Sequence, residues 1–397
     1  MKLKSLAFIV ALFCASTNFA QQTEWVGTWA AAPEFTGPSD NPPELLSNHS
    51  LRQIVQVSVG GDCLRLKLSN EFSHQGALVN SIFIADALDS CNIDAKTVKY
   101  LTFDGEREVR LVPGECVISD LCKYKLRPLQ RLAITINFNE TGGQVTSHRG
   151  SRTTSYLING EAKPKTSFAG SKHTDHWFYI SAIDVPKKDQ ECIAIIGNSI
   201  TDGRGSTTNM QNRWPDIMSR VLNTQGKKEY GVLNLGIGGN CVLNGGLSEP
   251  AVDRFERDIL GQSGCTKVIV FEGINDIGGN NGSSERVARD MIWAYQTFIK
   301  KAHNEGLKIY FATITPFGKS FYDKGNLFKE AARQTINNWI RTNKEADGFI
   351  DFDEAMRDKN HPSQLREEWQ EDWLHPNAKG YEAMGEYAAK EILKLKY

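Results

Sequence analysis

Hydrophobic and polar positions change rhythm near residue 188 of this chain of 397 residues. Upstream, short runs alternate with the two-residue period of a strand: Leu51 to Val59, Leu64 to Leu68, Val79 to Ala85, Glu108 to Val112, Arg131 to Phe138 and Trp177 to Val185. Gly60-Gly61-Asp62 and Thr141-Gly142-Gly143 supply turns between them. Many short strands with few helical runs predict an antiparallel β-sandwich, jelly-roll-like, over residues 21–187, with its strands between Trp25 and Pro186. Lys187-Lys188-Asp189 reads as a short linker.

Downstream, residues 188–397 alternate strand and helix patterns. Cys192 to Ile196, Gly231 to Leu235, Lys267 to Phe271, Lys308 to Thr313 and Phe349 to Phe352 read as strands. Trp214 to Leu222, Val252 to Leu260, Ser284 to Asn304, Phe328 to Arg341 and Ala378 to Leu395 read as helices. In the longest of these, Val287, Met291, Ala294, Tyr295, Phe298 and Ala302 repeat at helical spacing. This pattern predicts an α/β unit with a five-stranded parallel sheet covered by helices on both faces. In such sheets ligands bind beyond the carboxyl ends of the strands, so chemistry is sought in the loops that follow them.

Composition narrows the setting. A formal net charge of −1 offers no broad basic field for nucleic acid or an anionic membrane. Lys2 and Lys4 precede an apolar run from Leu6 to Ala15, which is too short to span a bilayer. Residues 1–20 therefore read as a signal peptide cleaved near Ala20, ahead of lipid anchoring at Cys14, because Phe13 is bulky where a small residue is expected. The expectation is a secreted or periplasmic protein without stable membrane insertion, its oligomeric state left open. Seven cysteines remain after such cleavage, an odd number, and no CxxC pair occurs. Cys91, Cys116 and Cys122 share a strand-rich stretch with room for a disulfide, and Cys192 opens an apolar strand as a core residue.

Four strand-end or helix-start segments carry the candidate chemistry. Gly197-Asn198-Ser199-Ile200-Thr201-Asp202-Gly203 presents a serine between an apolar strand and a Gly-rich turn, where its own N–H can face an oxyanion. Gly236-Ile237-Gly238-Gly239-Asn240 lets backbone approach a ligand, and one N–H of this loop can be a second oxyanion donor. Glu272-Gly273-Ile274-Asn275-Asp276 supplies an amide donor, Asn275, suited to charge developing on a carbonyl oxygen. Asp372-Trp373-Leu374-His375 supplies the base that a serine hydroxyl needs and the acid that orients it. Asp358-Lys359-Asn360-His361 has the same spacing, but it sits in a polar connection, whereas His375 directly precedes the last helix. Each segment alone has an ordinary structural explanation, such as a helix cap or a tight turn. Together they supply every role in acyl transfer: Ser199 as nucleophile, His375 as base, Asp372 as orienting acid, and three oxyanion donors from Ser199, the glycine loop and Asn275. All these are protein groups, so the scheme calls for no cofactor and no metal.

These blocks resemble those of the SGNH (GDSL-type) hydrolases in order, spacing and context, from Ile193 to Tyr387. Strings such as NRWPD, LHPNAKGY, Ser69-Asn70 and Thr154-Ser155-Tyr156 resemble secreted bacterial members that carry an N-terminal β-domain. Asn198 departs from the family, which has Asp before the serine. The resemblance implies Gly239 as the donor of the glycine loop, in an oxyanion hole with Ser199 and Asn275. It also implies a secreted serine esterase that acts on short acyl esters, with O-acetylated polysaccharide as substrate. Arg213, Trp214 and Trp373 neighbour the catalytic loops and are candidates for a sugar-facing wall. A lipid or aryl-ester esterase is the rival enzyme reading. A glycan-binding protein with a decayed site is the reading of another class, and Asn198 is its best support.

Overall fold

The structure is a computed structural model that describes residues 24–187, 190–226 and 228–394. The expected signal peptide with Cys14, the linker residues Lys188 and Asp189, and Leu395 lie outside the described residues.

The first half is built of antiparallel sheets. One runs Trp25–Ala30, Ile180–Pro186, Gly61–Ser69 and Cys116–Ile118, with Cys122–Leu126 also on Gly61–Ser69. A larger one runs Lys172–Thr174, Ser155–Asn159, His49–Gln56, Arg131–Glu140, Ala77–Asp86 and Lys99–Leu101, with Val109–Leu111 also on Ala77–Asp86. Inward side chains of both meet in one core: Leu64, Leu66 and Leu68 from the first, Leu51, Ile82 and Ile134 from the second. A small third sheet joins Trp177–Phe178, Thr146–His148 and Glu34–Phe35. The run from Trp177 to Val185 is thus two strands rather than one. Tyr179 takes a φ of +63° and turns the chain from the small sheet into the first. Three-residue strands such as Thr146–His148 are too short to show alternation, which is why the pattern did not reveal them.

The second half holds a five-stranded parallel sheet in the order Tyr230–Gly236, Glu191–Gly197, Lys267–Phe271, Lys308–Ala312 and Gly348–Ile350. Helices cover both faces. The helices Ser284–Asn304 (here α5) and Leu327–Thr342 (α6) contribute Met291, Phe298 and Ile336 to one core. Trp214–Gln225 (α2) and Ala378–Lys394 (α8) contribute Met218 and Met384 to the other. The expected helix from Val252 to Leu260 begins as α-helix at Ala251–Phe255 (α3) and widens into a π-turn over Glu256–Leu260. Three short helices have too few turns to register as a period: Ser199–Asp202 (α1), Ile274–Gly278 (α4) and Phe352–Met356 (α7). Two of these carry site residues.

The halves share a core. Val26, Ala30 and Ala182 of the antiparallel part pack with Leu233 and Ala194 of the parallel sheet. Polar contacts add to this: Val232 N–H donates to Ser58 Oγ at 3.0 Å, and Thr154 N–H donates to Asn209 Oδ1 at 2.8 Å. Among the described residues no helix is long and apolar enough to cross a membrane. The seven cysteines there are free, and Cys192 is buried in the core.

Candidate active site

The loops that follow the first three strands of the parallel sheet, and the one that precedes α8, converge. Glu191–Gly197 delivers the chain to Asn198, which caps α1: its side-chain oxygen accepts from Ile200 N–H at 3.0 Å. Ser199 is therefore the first helical residue rather than the cap. The short helix lies directly on the strand ends. A Cβ at Gly197 would come within 2.2 Å of Thr201 Oγ1, and one at Gly236 within 2.5 Å of Asp202 N, so these positions need glycine.

Ser199 Oγ–H donates to His375 Nε2 at 2.9 Å, across 176 residues of chain. On the other side of the ring, Nδ1 lies 2.8 Å from Asp372 Oδ2 and 3.1 Å from Oδ1. A carboxylate only accepts, so the proton sits on Nδ1 and Nε2 is left free to take one from serine. Asp372 is itself fixed, because Oδ1 accepts from His375 N–H at 2.8 Å and Leu374 N–H at 3.1 Å. Trp373, with φ +65°, makes the tight turn that lets this short loop fold back on itself. The other pair of the same spacing, Asp358 and His361, lies apart from this cluster, with an exposed imidazole 3.3 Å from its carboxylate.

The second and third loops supply N–H groups. Gly239 has φ +72°, a left-handed conformation that glycine adopts without strain. Neither Ser199 N–H nor Gly239 N–H has an acceptor among the described residues. Asn275, on α4, is oriented from both ends. Its Nδ2 donates to Asn240 O at 2.6 Å, and its Oδ1 accepts from Tyr322 O–H at 3.0 Å. One amide hydrogen remains for a ligand. Asp276 anchors the loop beyond Asn240, accepting from Val242 and Leu243 N–H at 2.8 and 2.9 Å. Burial pushes its pKa up to about 6 against these hydrogen bonds.

Two groups that sequence reasoning missed hold the floor of the site. Arg254, fully buried, donates to Leu235 O, Gly197 O and Asn240 Oδ1, and pairs with Asp258 at 3.1 Å. It ties two strand ends and the glycine loop together. Glu272 is also buried, and its carboxyl oxygens make no hydrogen bond among the described residues. Burial holds its pKa well above the usual carboxylate range, opposed by Arg254 and by the Asn198 side chain. Asn198 itself caps α1 through Ile200 N–H and leaves Ser199 in place.

Ser199 and His375 open onto a cleft of about 380 Å³ with walls from both halves of the chain. Asp40, Arg149, Arg152 and His176 face it from the antiparallel part, and Arg204, Leu247 and Phe321 from the other side. The expected sugar wall is corrected here. Trp214 is fully buried, edge-on to Phe271 and Phe352, because the apolar face of α2 points into the core. Arg213 is buried as well and spends its guanidinium on Asp216, at 2.6 Å, in the first turn of that helix. Trp373 is half-buried beneath Lys319, whose Nζ is 4.2 Å from its ring, and it does not line the cleft.

Burial depresses the His375 pKa below the ordinary 6.5; Asp372 opposes this, and the cation of Arg204 adds to it. A base with a depressed pKa stays neutral as pH falls past 6.5 and is lost only below its own folded value. The acidic limb of the kcat/KM profile is therefore expected to inflect below pH 6.5. Arg204→Gln, which removes a cation that disfavours the imidazolium, should move that limb upward. A wild-type limb inflecting above pH 7 would contradict this.

Residues 195–383 match the family model described as GDSL-like Lipase/Acylhydrolase family. A comparison with curated proteins found no match. Among solved structures the chain is similar to a GDSL-like lipase from Bacteroides thetaiotaomicron, at 18% identity over 52% of this chain and 89% of that one, with a TM-score of 0.40. It is similar to a carbohydrate acetylesterase family member from Sinorhizobium meliloti, at 13% identity over 52% and 98%, with a TM-score of 0.40. It is also similar to a family two carbohydrate esterase from Cellvibrio japonicus, at 10% identity over 94% and 97%, with a TM-score of 0.38. The family match covers the stretch that carries the converging loops, so residues 195–383 form a GDSL/SGNH-type hydrolase unit, of the carboxylic ester hydrolase class.

Proposed function

We propose that this protein is a secreted serine esterase that removes short acyl groups, O-acetyl above all, from polysaccharide, with Ser199, His375 and Asp372 as its triad. The observation that carries the triad is the relay from Ser199 Oγ through His375 to Asp372, with heavy-atom distances of 2.9 and 2.8 Å. Ser199 Oγ attacks the ester carbonyl as His375 Nε2 takes its proton. The tetrahedral oxyanion is held by Ser199 N–H, Gly239 N–H and the free Asn275 amide hydrogen. The carbon–oxygen bond to the alcohol then breaks, and His375 returns the proton to the departing oxygen. Water repeats the attack on the acyl-serine and releases the acid.

The cleft supports a saccharide substrate more than a lipid. Its antiparallel wall presents hydrogen-bonding and charged groups, Asp40, Arg149, Arg152 and His176. Phe321 and Leu247, both more than half exposed, offer apolar platforms at the opposite side, a combination suited to a sugar ring's polar edge and apolar face.

The test is acetate release from a set of defined acetylated polysaccharides, alongside long-chain esters and lysophospholipid, with Ser199→Ala as control. Acetate release from polysaccharide that outruns fatty-acid release is expected. Faster turnover of lysophospholipid would favour the lipid esterase, and glycan binding without any hydrolysis would favour the non-catalytic reading.

A further inference from the structure

Helix α1 has four residues, too few to stand by hydrogen bonding within itself. Its last residue, Asp202, is buried three positions after Ser199. Among the described residues, no group of the C-terminal half donates to the Asp202 carboxylate. The one hydrogen bond it receives among the described residues comes from the antiparallel half: His148 Nε2 lies 3.0 Å from Asp202 Oδ1. Arg152 Nη2, 3.7 Å from Oδ2, adds a cation at ion-pair distance without hydrogen bonding to that oxygen. The chain at Gly150 passes directly over the same carboxylate, so close that a Cβ there would sit 1.7 Å from Oδ2.

His148 ends a strand of the small sheet, and its side chain is 3% exposed. The ring stacks on Trp177, Nδ1 lies 2.9 Å from Ala32 O, and Glu34 Oε1 is 3.5 Å away. A backbone carbonyl and a carboxylate both only accept hydrogen bonds. Each ring nitrogen must then carry a hydrogen, and His148 is an imidazolium. Burial works against that charge, but Asp202 and Glu34 outweigh it and raise the pKa above the ordinary value. Glu34 is in turn held by Arg149 and by Ser248 of the C-terminal half. The result is a buried, charged bridge from the antiparallel sheets to the helix that presents the serine.

We propose that His148 is a positioning residue for the nucleophile: through Asp202 it fixes α1, which makes the antiparallel half a working part of the active site and not only an appended module. This inference rests on Ser199 being the nucleophile. Losing the bridge lets α1 shift. A displacement of about 1 Å in reacting groups costs on the order of 100-fold in rate, while binding of a small substrate is little changed.

The experiment measures kcat, KM and the rate of Ser199 labelling by a fluorophosphonate in full-length His148→Ala, Asp202→Ala and the double variant, with thermal melting alongside. Both kcat and the labelling rate should fall together by about 10- to 100-fold, with KM for a chromogenic acetate ester within about threefold of wild type. The double variant should be little worse than the more damaged single one, because both remove the same contact. If His148→Ala does not fold, His148→Gln, which keeps one donor at similar length, carries the test and should lie between wild type and the expected alanine value. A folded variant with kcat and labelling within about threefold of wild type, or a rise in KM at unchanged kcat, would overturn the proposal. So would independent, multiplicative losses in the double variant. Full activity of Ser199→Ala would instead sink the nucleophile assignment and leave the bridge a structural contact.

Discussion

Ser199→Ala is expected to lose at least about 10⁴-fold in kcat on a chromogenic acetate ester, and adding His375→Ala should cost little more. In the proposed mechanism the two side chains act as one unit. Without the hydroxyl no acyl-enzyme forms, and without the imidazole the hydroxyl keeps its proton. The oxyanion donors survive both changes, so a small residual rate over water remains. The fold should be unaffected, since among the described residues the only side-chain hydrogen bond of Ser199 is the one to His375, and Asn198 rather than Ser199 caps the helix. Melting curves and the two kcat values decide it: fully multiplicative losses would mean that the pair does not work together.

Asn275→Ala should lower kcat by about 10²- to 10³-fold with KM nearly unchanged. In the proposed mechanism the remaining amide hydrogen meets negative charge that exists in the tetrahedral intermediate and not in the bound ester, so its loss falls on the chemical step. The size of the effect depends on how firmly the amide is aimed. Asn240 O and Tyr322 O–H fix both of its ends before substrate arrives. A loss confined to KM would show Asn275 to be a substrate-binding residue only.

The strand–helix alternation after residue 188 was legible because long elements carry strong periods. Lys267–Phe271 and Ser284–Asn304 were read with the bounds they have. The residues that converge were legible for a related reason: strand ends in a parallel sheet point to one edge, so loops distant in the chain are forced together. What could not be read lies in the side-chain network. Nothing in Thr146-Ser147-His148-Arg149 marks a histidine that reaches Asp202, because that contact depends on a three-residue strand and on how the halves pack. Arg254 gives no signal either, since a cation in an amphipathic helix ordinarily faces water. Trp214 was misread for the opposite reason. Nearness in sequence to the catalytic loop said nothing about which face of α2 it occupies, and its spacing with Ile217 and Met218 places it inward.

The most direct measurement is the crystal structure of the protein treated with a fluorophosphonate. The account predicts a single adduct on Ser199 Oγ, its phosphoryl oxygen about 3 Å from Ser199 N, Gly239 N and Asn275 Nδ2. An adduct on another residue, or one on Ser199 whose oxygen points away from all three donors, would contradict it.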